Sequence, residues 1–240
     1  DLTMSIDDIF IDINKIIEED LDINVKILYI DGSKFEANAN KMTFVWKKSS
    51  QKYYQNTWKK FIKLVKKLNR YFSREGIEVY YSLIKEPNIA YMLEIADRVE
   101  KYMEANNIEF VHGKGKKKSE IQKLYDELKE YAIRISKYIM HFDICGDRNS
   151  FSKTDPDATF MKMKYDYYNH TNVFKPGYNV QFGISDGFIR NVYVSSDCND
   201  LPTYIPFMEK YYQAYGEYPE KTPADAGYGS YDNYMFCKKH

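Results

Sequence analysis

Hydrophobic positions along this chain change period twice. Near the start, Ile6, Ile9, Phe10, Ile13, Ile16 and Ile17 recur on one helical face, with Ser5 and Asp8 spaced as a capping box; this helix ends near Asp20. Val25–Ile30 is a short apolar run that reads as a strand, tipped by Asp31, and Met42–Trp46 reads as a second. The period then becomes helical for about ninety residues. Trp58, Phe61, Ile62, Val65, Leu68 and Phe72 form one stripe. Met92, Ile95, Ala96, Val99 and Met103 form another, after Pro87. Ile121, Leu124, Tyr125, Leu128, Ala132, Ile135 and Ile139 form a third, opened by Ser119 as N-cap. From residue 178 the period is two: Tyr178, Val180, Phe182 and Ile184 alternate with Asn179, Gln181 and Gly183. Asp186-Gly187 is a hairpin turn pair, and Phe188–Val194 returns as a strand. Leu201–Tyr215 is amphipathic and helical, confined by Pro202 and Pro206 and stopped by Gly216 and Pro219. Lys221–Ala224 is a short strand tipped by Asp225, and a last helix starts at Ser230.

Read as domains, the pattern gives an N-terminal helix and first strand over 1–50, a helical insertion over 51–150 and the rest of a sheet-based core over 151–240. The fold class is α/β, with a mixed sheet interrupted by helices. With 44% hydrophobic residues the chain can bury a core, and no apolar run is long enough to span a bilayer. Three scattered cysteines without a CxxC pair exclude a disulfide framework or a zinc finger, which suits a reducing cytoplasm. No phosphate-binding G-x-x-x-x-G-K-S/T occurs. The chain does not open on Met and stops within a helical pattern, so it reads as a piece of a longer protein.

Net charge is zero, yet Lys47–Arg74 holds ten basic residues and no acid. Lys47, Lys48, Lys59, Lys60, Lys63, Lys66, Lys67 and Arg70 are its candidate phosphate contacts. An ordinary solvated helix face mixes both signs, so a run of one sign points to a polyanion. Asp31 and Asp225 are the candidate chemistry. Each follows an apolar strand and precedes glycine or Ala-Gly, and two carboxylates at neighbouring strand ends can hold hard divalent cations. Asp-Gly is also a common turn pair. Glu36, His112, His170, Trp46 and Trp58 read as surface or packing residues.

Four blocks, in order, resemble DDE transposases of bacterial insertion sequences. They are Asp31-Gly32-Ser33-Lys34-Phe35-Glu36-Ala37-Asn38-Ala39-Asn40 through Trp46-Lys47-Lys48; Ser152-Lys153-Thr154-Asp155-Pro156-Asp157-Ala158; Pro176-Gly177-Tyr178-Asn179-Val180-Gln181; and Ala224-Asp225-Ala226-Gly227-Tyr228. The resemblance implies a ribonuclease H-like sheet and metal-dependent DNA cleavage and strand transfer at transposon ends. It implies Asp31 and Asp225 as first and second catalytic carboxylates, with Mg²⁺ or Mn²⁺ as cofactor. It implies a third carboxylate, a glutamate beyond residue 240, so that the chain by itself would be inactive. Double-stranded DNA, a homodimer on paired ends and a nucleoid-associated cytoplasmic location are implied likewise. Two alternatives stay open: a catalytically dead DNA-binding remnant, and a metal-dependent nuclease on the same fold.

Overall fold

The computed structural model describes residues 5–113, 115–163 and 173–240; His170 and Lys114 lie outside them. The chain forms two compact units, one from residues 1–44 and 150–240 and one from Val45–Asn149.

The Val45–Asn149 unit is helical. It holds α2 (Lys47–Arg74), α3 (Ile89–Ala105) and α4 (Glu120–Cys145). The sequence boundary at 51 falls inside α2, because the basic residues Lys47 and Lys48 already belong to its first turn. Helix starts follow capping chemistry: Asn88 accepts from the Tyr91 amide and Ser119 from the Gln122 amide, each satisfying a donor that lacks a partner within its helix. The three stripes meet in one core that includes Phe61, Val65, Leu68, Phe72, Met92, Val99, Leu128 and Ile135. Trp58 is buried there, its indole N–H on the Lys85 carbonyl at 3.2 Å, so this tryptophan serves packing.

The other unit is a sheet with helices: α1 (Ile6–Leu21), β1 (Tyr29–Glu36), β4 (Thr159–Lys162), β5 (Phe174–Ser185), β6 (Phe188–Ser195), α5 (Tyr204–Tyr215) and α6 (Tyr231–Lys239). The chain leaves this unit at β2 (Phe44–Trp46) and returns at β3 (Ser150–Ser152). β5 pairs antiparallel with β1, β4 and β6. The β5–β6 hairpin turns on Asp186 and Gly187, with φ of 45° and 86°, as a two-residue turn of the primed kind requires.

Three sequence expectations change here. β1 does not end at Asp31; it runs on to Glu36, because β5 continues beside it from Ile184 down to Gly177. Lys221–Ala224 is not a full strand. It meets β1 in parallel at two bridges, Ile27 with Lys221 and Ile30 with Ala224. The Leu28 amide donates to the Lys221 carbonyl and the Ile30 amide to the Pro223 carbonyl, both at 2.9 Å. Helix α1 forms as expected, but Ser5 makes no side-chain cap and the isoleucine stripe is exposed: Ile6 is 62% and Ile16 58% accessible. The neighbouring face is the one engaged. Asn14 is buried, and the buried Arg190 guanidinium donates to the Asn14 carbonyl and to Glu18.

β5 holds the largest surprise. Its fully buried positions include the polar or small ones (Asn179, Gln181, Gly183 and Ser185), while Tyr178, Val180, Phe182 and Ile184 are only half-buried. Each buried residue has a local reason. Ser185 donates to the Ile27 carbonyl at 2.8 Å. A methyl on Gly183 would lie 2.7 Å from Phe207, so glycine there lets α5 approach the sheet. The core beside it is Leu28, Ile30, Tyr204, Phe207, Met208, Tyr211 and Tyr228.

Candidate functional site

Parallel pairing between β1 and the 221–224 segment stops at Ile30 and Ala224, and the next residue of each chain segment is an aspartate. Asp31 and Asp225 therefore leave neighbouring backbone positions side by side, both exposed. Each is oriented the same way. The Gly32 amide donates to Asp31 Oδ1 at 2.8 Å, and the Gly227 amide donates to Asp225 Oδ1 at 2.7 Å. Asp225 is thereby the N-cap of a short 3₁₀ turn, Ala226–Tyr228, and this cap is the physical reason for the Asp-Ala-Gly spacing.

A third carboxylate joins them, one that the sequence pattern does not single out. Asp200 Oδ1 accepts from Asn179 Nδ2 at 2.7 Å and from Gln181 Nε2 at 3.1 Å. Both amides are fully buried on β5. Gln181 Oε1 in turn accepts from the Tyr228 hydroxyl. Burial first, and then the charges of Asp200, Asp31 and Asp225, push the Tyr228 hydroxyl well above its ordinary range. None of the three aspartates takes part in an ion pair among the described residues. The readable signal for Asp200 lay in β5: two amides on the buried face of a strand need a polar partner, since an unpaired buried amide is costly.

The donor set fits a hard cation in part. It offers oxygen only, and the two exposed carboxylates each turn a single oxygen to backbone. Among the described residues, however, no group of three or more His, Cys, Asp or Glu side chains is arranged to hold a metal ion. The oxygen donors that the backbone brings to neighbouring positions are those of Asp31 and Asp225. Glu36 lies five positions from Asp31, on the opposite face of β1. It pairs with Lys175 and, at 3.2 Å, with Lys41, and the Lys175 hydrogen bond holds its carboxyl below the usual range.

The basic run is α2 itself, and its cations divide. Lys67 reaches Glu127 at 3.9 Å, Arg74 reaches Glu120 at 2.7 Å and Glu75 at 3.3 Å, and Lys47 donates to the Gly146 carbonyl. The acids missing from the run in sequence thus arrive from α4 and from the end of α2. Lys48, Lys59, Lys60, Lys63, Lys66 and Arg70 stay exposed. Lys59, Lys60 and Lys63, with Arg134 and Tyr138 of α4, line a shallow groove of 440 Å³. His112 stacks on Phe110, and Trp46 is 41% exposed. No helix among the described residues is long and apolar enough to cross a membrane. No protein-family model, no curated protein and no solved structure matches this chain.

Proposed function

We propose that the chain is catalytic-core sequence of a DDE transposase, acting on double-stranded DNA with Mg²⁺ or Mn²⁺. One observation carries the reading: the Ile30–Ala224 bridge and the Ile30 N–H to Pro223 bond put Asp31 and Asp225 at adjacent exits of two parallel segments. The lateral order supports a ribonuclease H-like sheet. β6 lies beside β5 and β5 beside β1, each pair antiparallel, and the 221–224 segment lies parallel on the far side of β1. Asp31 and Asp225 would hold the cation, which when bound supplies Lewis acidity at a phosphate oxygen and an activated water or hydroxyl. The glycine amides fix which oxygen of each aspartate faces backbone and which faces outward. On the helical unit, the exposed lysines of α2 would contact phosphates without reading bases.

The test is Mn²⁺ binding by residues 1–240, read by electron paramagnetic resonance. Asp31→Asn and Asp225→Asn are each expected to lower affinity at least about tenfold, since each removes one of two anionic ligands. Wild-type binding that neither substitution weakens would refute the metal reading. DNA binding without any metal dependence would favour a catalytically dead remnant of the same fold.

A further inference from the structure

We propose that Asp200 is a positioning residue that holds the Asp31 position of β1 and the turn capped by Asp225 in register with one another. This rests on the functional reading above, and it adds a residue outside both aspartate motifs.

The argument starts from the two glycines. Gly32 and Gly227 donate the amides that orient Asp31 and Asp225. Both glycines turn their open face toward Asp200. A methyl built on Gly32 would lie 2.8 Å from Asp200 Oδ1, and one built on Gly227 would lie 3.6 Å from Asp200 Oδ2. One carboxylate therefore packs between β1 at Gly32 and the 3₁₀ turn at Gly227, with one oxygen toward each. Asp200 is itself fixed. Its Oδ1 is held by Asn179 and Gln181, both fully buried, and Gln181 is held by Tyr228. Tyr228 closes the 3₁₀ turn that Asp225 caps, so the chain of bonds returns to the second aspartate. A further atom sets this cluster apart. Among the described residues, Asn179 Oδ1 is buried with no hydrogen-bond partner, on the same amide that donates to Asp200. An amide kept in that position at such a cost has its donor side committed to Asp200.

Carboxylate and amide groups behind metal ligands set ligand orientation, and removing one typically lowers metal affinity 10–100-fold. The experiment uses residues 1–240 with Asp200→Ala and Asp200→Asn, measuring Mn²⁺ affinity and, without metal, amide hydrogen exchange at Gly32 and Gly227. Asp200→Ala is expected to weaken Mn²⁺ binding by about 10–100-fold. It should accelerate exchange at the two glycines by about tenfold more than at the amides of β6, as expected for a local opening. Asp200→Asn keeps an oxygen for Asn179 and Gln181, so it should recover affinity to within about threefold of wild type, well inside the range that loss of a supporting group spans.

Three results would overturn the proposal. One is Asp200→Ala binding Mn²⁺ as tightly as wild type. Another is Asp200→Asn as weak as Asp200→Ala, which would assign Asp200 a role through charge and not through position. The third is acceleration spread evenly over β5 and β6, which would make Asp200 a stability residue alone. If wild type shows no Mn²⁺ binding that Asp31→Asn removes, the metal reading fails separately, and the exchange pattern by itself then decides whether Asp200 positions the Gly32 and Gly227 backbones.

Discussion

Adding one methyl group at Gly32 tests the site's packing directly. The Gly32 φ is not in the left-handed region, so alanine meets no backbone strain there. By backbone entropy alone, Gly32→Ala would stabilise the fold by about 0.4–1 kcal/mol. Packing pushes the other way. The new Cβ would sit 2.8 Å from Asp200 Oδ1 and 2.9 Å from both amide atoms of Gln181. Normal contacts start near 3.4 Å, and neither neighbour can swing aside without losing a bond. Asp200 would leave Asn179 and Gln181, or Gln181 would leave Tyr228. Overpacking of this size costs about 1–3 kcal/mol, and breaking a hydrogen bond to a charged group instead costs about 1.5–3. Relief comes by one route or the other, so at the midpoints of these ranges the net expectation is destabilisation by about 1.3–1.6 kcal/mol.

Both tryptophans, Trp46 and Trp58, lie in the helical unit, so fluorescence does not report on the sheet. Native-state hydrogen exchange at Val180, Gln181 and Phe182, opposite Gly32 and its neighbours on β1, does. Faster exchange by a factor of about 8–14 corresponds to that net cost, as 1.4 kcal/mol is tenfold. Unchanged or slower exchange would refute the reasoning, because it would leave only the backbone gain and mean that Asp200 and Gln181 are not held. Gly227→Ala is the control. Its methyl meets Asp225 Oδ1 at 2.9 Å, the end of an exposed side chain that can rotate, so sheet exchange should change little while Mn²⁺ affinity falls.

Other expectations are as specific. Replacing Lys59, Lys60, Lys63 and Lys66 by Ala should weaken duplex DNA binding alike for all sequences, measured by fluorescence anisotropy. The slope of log Kd against log salt should flatten by about 0.9 for each phosphate that is no longer neutralised. An unchanged slope would return α2 to an ordinary solvated face. Lys67 and Arg74, already paired with acids, should matter less when changed alone. Burial pushes the Tyr215 and Tyr204 hydroxyls up to about 12, whereas unfolded tyrosine ionises near 10. Their contribution to stability is complete below pH 10 and is lost as pH rises toward 12, so urea midpoints should fall in that window. Tyr215→Phe should shrink the fall, although it removes the bond to the Arg190 carbonyl; an equal fall in the variant would count against this assignment.

The helical unit was legible in sequence because its stripes at Phe61–Phe72, Met92–Met103 and Ile121–Ile139 are local, and a period of 3.6 leaves one solution for each face. The Ser119 cap, the helix start at Ser230 and the Asp186-Gly187 turn were legible for the same reason: each bond spans only a few residues. Asp31 and Asp225 could be singled out as residues, yet their adjacency depends on the Ile30–Pro223 bond across more than 190 positions. No local pattern encodes such a contact. The inward face of β5 was likewise decided in three dimensions. Alternation says that one face is apolar and one polar, and ordinary expectation puts the apolar face inside. Here Asn179 and Gln181 turn inward because Asp200, brought by the turn after β6, gives their amides a partner, and because Phe207 needs the space that Gly183 leaves. The isoleucines of α1 are exposed for a related reason: Arg190 sits buried beneath Asn14 and Glu18, so a charged group's need for partners set the helix rotation against its apolar stripe. Local sequence determined the helices and the β5–β6 hairpin. Long-range polar satisfaction determined which faces meet, and with them the site.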